Sequence, residues 1–278
     1  MTAGTAVGWS CGETRDAAID LLVDVMNERQ AFPHATRRRV VISQTLHRAL
    51  IDARDGPLPA MLLALTMLAG VVDAVSILAL NHVFVAAMTG NLVFIGLGIA
   101  GASGFSVRAP AFAMSGFVVG ALIGAQIGRR SGAHRGRALR NIAVFKAVLA
   151  VPVTVMVVVA GDSLPSGIRT LVTVLLAASM GGQLALIRYL KVPDLLTTVL
   201  TLTITGALTE RGRGRRDPAV LRRGLAVLAF VTGVVAGGLL TRFVTVGAAL
   251  AFGLFIILAV GIAAHFLSRT SAPWSKPK

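Results

Sequence analysis

After Gly56 the sequence is a train of apolar runs, each about 15–25 residues long, separated by short polar loops. A helix needs roughly 20 apolar residues to cross a bilayer, and the period-two alternation of membrane β-strands is absent. This pattern predicts an all-α fold, a polytopic helical membrane protein. Composition agrees: 55% of the 278 residues are hydrophobic, 14% are charged and the mean hydropathy is +0.79. A soluble domain would carry about 25% charged residues.

The formal net charge is +15. It does not point to nucleic acid, because no aromatic–basic binding module is present. Basic residues retained in cytoplasmic loops produce such a charge, and anionic lipid head groups are the partner they imply. Cys11 is the sole cysteine, so no intrachain disulfide is expected. Residues 1–57 lack a continuous apolar core, which predicts no cleavable secretion signal. They read as a basic cytoplasmic arm near the membrane surface, with weakly amphipathic stretches at Asp16–Arg29 and Ser43–Ala53; Met26 and Met61 are later candidate starts.

Eight apolar segments follow: Leu58–Leu80, Phe84–Gly101, Ala109–Gly128, Ile142–Ala160, Ile168–Leu190, Leu195–Leu208, Leu221–Thr241 and Phe243–Leu267. Basic clusters precede the first, follow the third (Arg129–Arg140), follow the sixth (Arg211–Arg223) and end the chain. The positive-inside rule puts all four in the cytoplasm, with both termini. Two cytoplasmic clusters must be separated by an even number of crossings, yet three segments lie between successive clusters. In each triplet one segment is short or polar: Phe84–Gly101, or the threonine-rich stretch 194–208. If both re-enter or break, six full crossings remain and every cluster lies inside. If all eight span, Arg129–Arg140 lies outside. The first arrangement is the expected one.

The halves, about 58–160 and 168–267, look related, and a tail of 268–278 follows. Gly116-Phe117-Val118-Val119-Gly120 with Gly124 matches Ala229-Phe230-Val231-Thr232-Gly233 with Gly237 at a shift of 113; Thr89 and Asn91 meet Thr201 and Thr203 at 112; Gly70 and Ala74 meet Gly181 and Ala185 at 111. With three crossings per half, these would be inverted repeats, as in many secondary transporters, whose discontinuous segments meet near the midplane.

Gly116, Gly120, Gly124 and Gly128 recur every four residues and paint a side-chain-free stripe that lets helices approach closely. Internal packing is the first expectation, shared by Gly233 and Gly237; a homodimer face is the second. Asp73 lies about four residues, or about 6 Å, past the middle of the first segment. A carboxylate there needs pairing, protonation or hydration. Two readings stand: a proton-titrating or cation-coordinating site, or a structural acceptor. Thr89, Gly90 and Asn91 form a compact polar step. It is either a helix break whose N–H groups face a solute, or a set of side chains bonded to their own and adjacent helices. Thr197, Thr198, Thr201, Thr203 and Thr205 oppose it in the second half, although threonine can satisfy itself on its own helix. Asp194 after Pro193 reads as a helix cap. Gln183 is a polar intruder in an apolar segment, and Lys146 is expected to snorkel to the interface. The histidines lack metal-ligand spacing, and no catalytic constellation or phosphate loop is present. No enzyme, metal or cofactor is therefore expected.

On these residues the sequence resembles the YoaK-like family of bacterial integral membrane proteins of unknown function (domain of unknown function 1275). The resemblance rests on Gly70-x-x-Asp73-Ala74, Phe84 to Leu92 with its Met-Thr-Gly-Asn element, Gly182-Gln183 through Val192-Pro193-Asp194, and Thr197-Thr198-Val199-Leu200-Thr201. It covers about Leu58 to Leu267 and implies the bacterial inner membrane, with no substrate. Where such proteins commonly carry Asn after the Gln, this chain has Leu184, the repeat counterpart of Asp73. The expected function is transport of a small solute, with Asp73, Thr89, Gly90, Asn91, Gln183, Thr197, Thr198, Thr201 and Thr203 at the site and a proton as candidate coupling ion. The alternative is a non-transporting structural, assembly or lipid-interacting component.

Overall fold

The computed structural model describes residues 50–51, 55–132, 134–161, 164–190, 192, 218–269 and 272–275. Among them are seven α-helices: α1 (Leu58–Ala79), α2 (Met88–Ile99), α3 (Arg108–Arg130), α4 (Arg135–Ala160), α5 (Ser166–Leu190), α6 (Pro218–Phe243) and α7 (Val246–Leu267). A 3-10 turn at Pro273–Ser275 follows. All but α2 are long and apolar enough to cross a membrane. The 12 residues of α2 rise only about 18 Å, short of a hydrocarbon core of about 30 Å. The segment 194–208, with Asp194, Thr197, Thr198, Thr201, Thr203 and Thr205, lies outside the described residues, as do residues 1–49 of the arm.

Local sequence explains the boundaries. Pro59, Pro110 and Pro218 sit in first turns, and Pro165 just precedes α5, where a missing N–H costs nothing. The helix expected from Ile142 starts earlier, at Arg135, because the His134 ring accepts the Arg137 N–H and caps it. The intervening Arg, Ala and Leu residues are good helix formers.

The six long helices run back and forth, and one end of the bundle is tied by arginine. Arg135, at the start of α4, is buried; its guanidinium meets Asp55 before α1 at 3.0 Å, the Leu190 carbonyl ending α5 at 2.7 Å and the Trp274 carbonyl after α7 at 3.3 Å. Arg222, at the start of α6, stands 3.8 Å from the second Asp55 oxygen. The Tyr189 hydroxyl reaches Gly132 after α3. So the starts of α1, α4 and α6 and the ends of α3, α5 and α7 share this end, and Arg129–Arg140 lies beside the chain that enters α1.

Glycine decides which helices pair. A Cβ on Gly116 or Gly124 would lie 2.5 or 2.6 Å from the Val174 or Gly182 carbonyl oxygen, and one on Gly120 would overlap that of Ala178. In return, Gly181 faces the Phe117 carbonyl. Thus α3 and α5 touch backbone to backbone, which only glycine permits. The α1–α6 contact is built the same way: Gly233 meets Met67, Gly237 meets Val71 and Gly70 meets Phe230. Displacing Met67, Gly70 and Val71 by 111 residues lands on Ala178, Gly181 and Gly182. Displacing Phe117, Gly120 and Gly124 by 113 lands on Phe230, Gly233 and Gly237. The glycine stripe of α3 is therefore used within the chain.

Candidate functional site

The site starts with a chain reversal. After α1 the backbone turns at His82, whose φ of +52° is left-handed, and re-enters the bundle as a non-helical stretch. Val85 and Ala86 donate their N–H groups to Asp73 Oδ1 at 2.9 and 2.8 Å. Asp73 lies six residues before the end of α1, about 9 Å along the helix, so the returning chain reaches that depth before α2 begins. Asn91 holds the turn from the other side. Its Oδ1 accepts the Phe84 N–H at 2.9 Å, and its amide donates to the Phe84 carbonyl at 2.6 Å. Backbone groups that no helix satisfies must be satisfied by side chains inside a membrane; Asp73 and Asn91 do this for Phe84, Val85 and Ala86. The Phe84 ring stacks on Phe94 at 5.8 Å. It also lies against Gly90, where a Cβ would come within 2.5 Å of it. Gly90 is needed for that ring, and not for an unusual backbone angle.

Beside this turn is a cavity of about 710 Å³, walled by α1, the turn with the start of α2, α3, α5 and α6. Its polar lining among the described residues is Asp73, Thr89 and Arg188, and the rest is apolar, including Phe84, Phe117 and Phe230. Asp73 is 3% exposed, and its Oδ2 is buried without a hydrogen-bond partner. Thr89 and Arg188 are exposed. Three pairs in the lining obey the displacements already met: Asp73 and Leu184 at 111, Ile77 and Arg188 at 111, Phe117 and Phe230 at 113.

The expected residues thus divide. Asp73 and Thr89 line the cavity. Gly90 and Asn91 shape the turn beside it, and Asn91 is buried. Gln183 is turned elsewhere: its Oε1 accepts from Lys146 Nζ at 2.7 Å, and its amide donates to the Leu65 carbonyl at 3.0 Å. Lys146 does not snorkel. It is fully buried, and its second acceptor is the Ser179 carbonyl at 3.5 Å. Midway along α4, the side chain is enclosed by α5 before it can reach either end. Lys146, Gln183 and Leu65 therefore form a polar lock joining α4, α5 and α1. Among the described residues no cluster of His, Cys, Asp and Glu suits a metal.

Comparison with known proteins matches residues 61–263 to the family described as "Protein of unknown function (DUF1275)". The chain belongs to this family. It is also similar to UPF0700 transmembrane protein YoaK of Bacillus subtilis (strain 168), with 31% identity over 186 residues that cover 63% of this chain and 80% of the relative. No solved structure matches. A multi-pass helical membrane protein is thereby established, and the family brings no activity with it.

Sequence reasoning passed over Arg188, Phe117 and Phe230 in the cavity wall. The sequence displacements are the signal that reaches them: Phe117 and Phe230 stand 113 residues apart, and Arg188 stands 111 after Ile77, one turn beyond Asp73. Asp55 and Arg135, which tie the helix ends, had no comparable signal. Arg135 stood in a cluster indistinguishable from a solvated loop.

Proposed function

We infer that this protein is a carrier for a small solute, built from two inverted repeats around the cavity at Asp73. One observation carries the reading: the cavity is walled by helices of both halves, and its lining contains residue pairs related by the same displacements that relate the two glycine interfaces. Secondary transporters place their sites at such a repeat interface, beside discontinuous segments, and alternate access by rocking one half against the other. The turn at Phe84–Ala87 and the short α2 supply the discontinuity in the first half; the stretch 194–208 is its expected counterpart. The basic end of the bundle is the cytoplasmic end, by the positive-inside rule.

Accessibility tests this directly. With Cys11 replaced by serine, Leu184→Cys puts a single thiol in the cavity wall. In oriented vesicles an impermeant thiol reagent should reach it from both sides, with rates that change in opposite directions when the cavity is trapped open to one side. Arg130→Cys, at the exposed end of α3, should react from the cytoplasmic side alone. Labelling of Leu184→Cys from one side only, under every condition, would sink the carrier reading and favour the non-transporting membrane component.

A further inference from the structure

The geometry points to a protonated amine with an apolar body as the solute class of the Asp73 cavity. This rests on the carrier reading above and narrows it. The six long helices contain a single acidic residue, Asp73. Its two oxygens are used unequally. Oδ1 is committed to the Val85 and Ala86 N–H groups and the Ala87 N–H faces the same carboxylate, whereas Oδ2 makes no hydrogen bond and is buried, on a side chain that lines the cavity. A buried acceptor left unmatched is costly, and a charged one more so. What completes it is a donor that also carries positive charge. An ammonium N–H meets both needs, a hydroxyl meets one, and a carboxylate meets neither and adds repulsion.

The remaining wall describes the other end of the ligand. Phe84, Phe117 and Phe230 present rings, with Ile77, Leu78 and Val234 among the aliphatic neighbours. Aromatic faces attract a cation and pack an apolar body. A small hydrophilic ion would leave this wall unused. Among the described residues the one cation in the lining, Arg188, is exposed, so solvent and salt screen its charge, whereas Asp73 is enclosed. Nor is Lys146, the other deep charge among the described residues, turned to Asp73: it is held by Gln183 and Ser179.

The test uses the full chain in lipid nanodiscs and three probes of nearly equal size: benzylamine, protonated at pH 7, benzyl alcohol and benzoate. Saturable binding of radiolabelled benzylamine, after subtraction of empty nanodiscs, is expected, with benzyl alcohol competing at least about tenfold more weakly and benzoate not at all. Asp73→Asn keeps an oxygen for the two N–H groups and removes the charge; it should weaken benzylamine binding about thirtyfold or more, a loss of about 2 kcal/mol. Phe230→Leu, which keeps an apolar wall and removes a ring, should weaken it by about threefold to tenfold. A melting temperature within about 4 °C of the wild type for both variants certifies that the fold is intact. No saturable benzylamine binding, equal competition by benzyl alcohol, or an Asp73→Asn variant that binds as well as the wild type would overturn the amine assignment. The carrier reading is judged separately by Leu184→Cys: alternating access without amine preference sinks this inference alone, and one-sided access sinks the carrier.

Discussion

Asp73 and Lys146 are the two charged residues set deep in the long helices, and the protein treats them in opposite ways. Lys146 is sealed: Gln183 and the Ser179 carbonyl accept from it, Gln183 passes its own donor on to Leu65, and none of the three lines the cavity at Asp73. Asp73 is half committed, one oxygen to the re-entrant backbone and one left unmatched at a cavity. A polar group that only locks helices ends with its hydrogen bonds complete. A group kept for a passing solute does not. The helix-locking reading that the sequence left open is therefore realised at Lys146, and the solute-site reading is the one proposed for Asp73.

The sharpest way to break that contrast is at the lock. Gln183→Leu removes the best acceptor of a fully buried ammonium and should cost about 3 kcal/mol of stability. Adding Lys146→Met to it should return most of that loss, because a matched apolar pair of similar volume replaces the polar one. Unfolding of the two single variants and the double variant in detergent gives the coupling. A double variant as damaged as Gln183→Leu alone would mean that Lys146 has a role beyond packing.

Asp73 should behave differently. Asp73→Ala strands the Val85 and Ala86 N–H groups and should cost about 2 kcal/mol, whereas Asp73→Asn retains the accepting oxygen and should cost less than about 1 kcal/mol. The same unfolding measurement checks both. If Asn is as costly as Ala, the charge itself is structural, and the division of labour between the two oxygens fails.

How far the sequence discloses this arrangement depends on the kind of signal. Hydropathy and charge parity suffice for six long helices and a short seventh, because span length and loop charge are one-dimensional properties. The glycine stripe identifies a contact face, and only the repeat shifts hint that α1 pairs with α6 and α3 with α5. Lys146 is misread because snorkelling depends on what surrounds a side chain, and α5 closes over it. Gln183 is exceptional as an amide in an apolar segment, but its direction, toward Lys146 and not into the expected site, depends on helix rotation, which its spacing cannot reveal. Asp73 is the opposite case. As the single acid in six apolar helices it is exceptional by composition alone, and the structure shows its accepting role toward the Val85 and Ala86 N–H groups.

Asn91 tests the turn that borrows one Asp73 oxygen. Asn91→Ala leaves the Phe84 N–H and carbonyl without their side-chain partner, at an expected cost of about 1.5 kcal/mol. The loss should be local, appearing as faster amide exchange at Phe84–Ala86 while the Lys146 neighbourhood stays protected. Loss of protection at both places together would show that lock and turn unfold as one unit, and the contrast between them would then be one of chemistry and not of stability.

The smallest effect asks whether the cavity is wet. Leu184 stands 111 residues after Asp73 and shares its cavity, half-buried. In a hydrated cavity Leu184→Asn exchanges a partly exposed leucine for an amide that water can satisfy, and stability should change by no more than about 0.5 kcal/mol. In a dry one the amide has no partner and the cost rises to about 1–3 kcal/mol. The contrast between Asp73 and Lys146 requires the first result. Oδ2 is buried as the side chain stands, so it is matched only when the carboxylate turns toward the cavity, and the water that would meet it there would also solvate Asn at position 184. A cost near 3 kcal/mol would place Asp73 in the same dry class as Lys146 and leave its unmatched oxygen without a purpose.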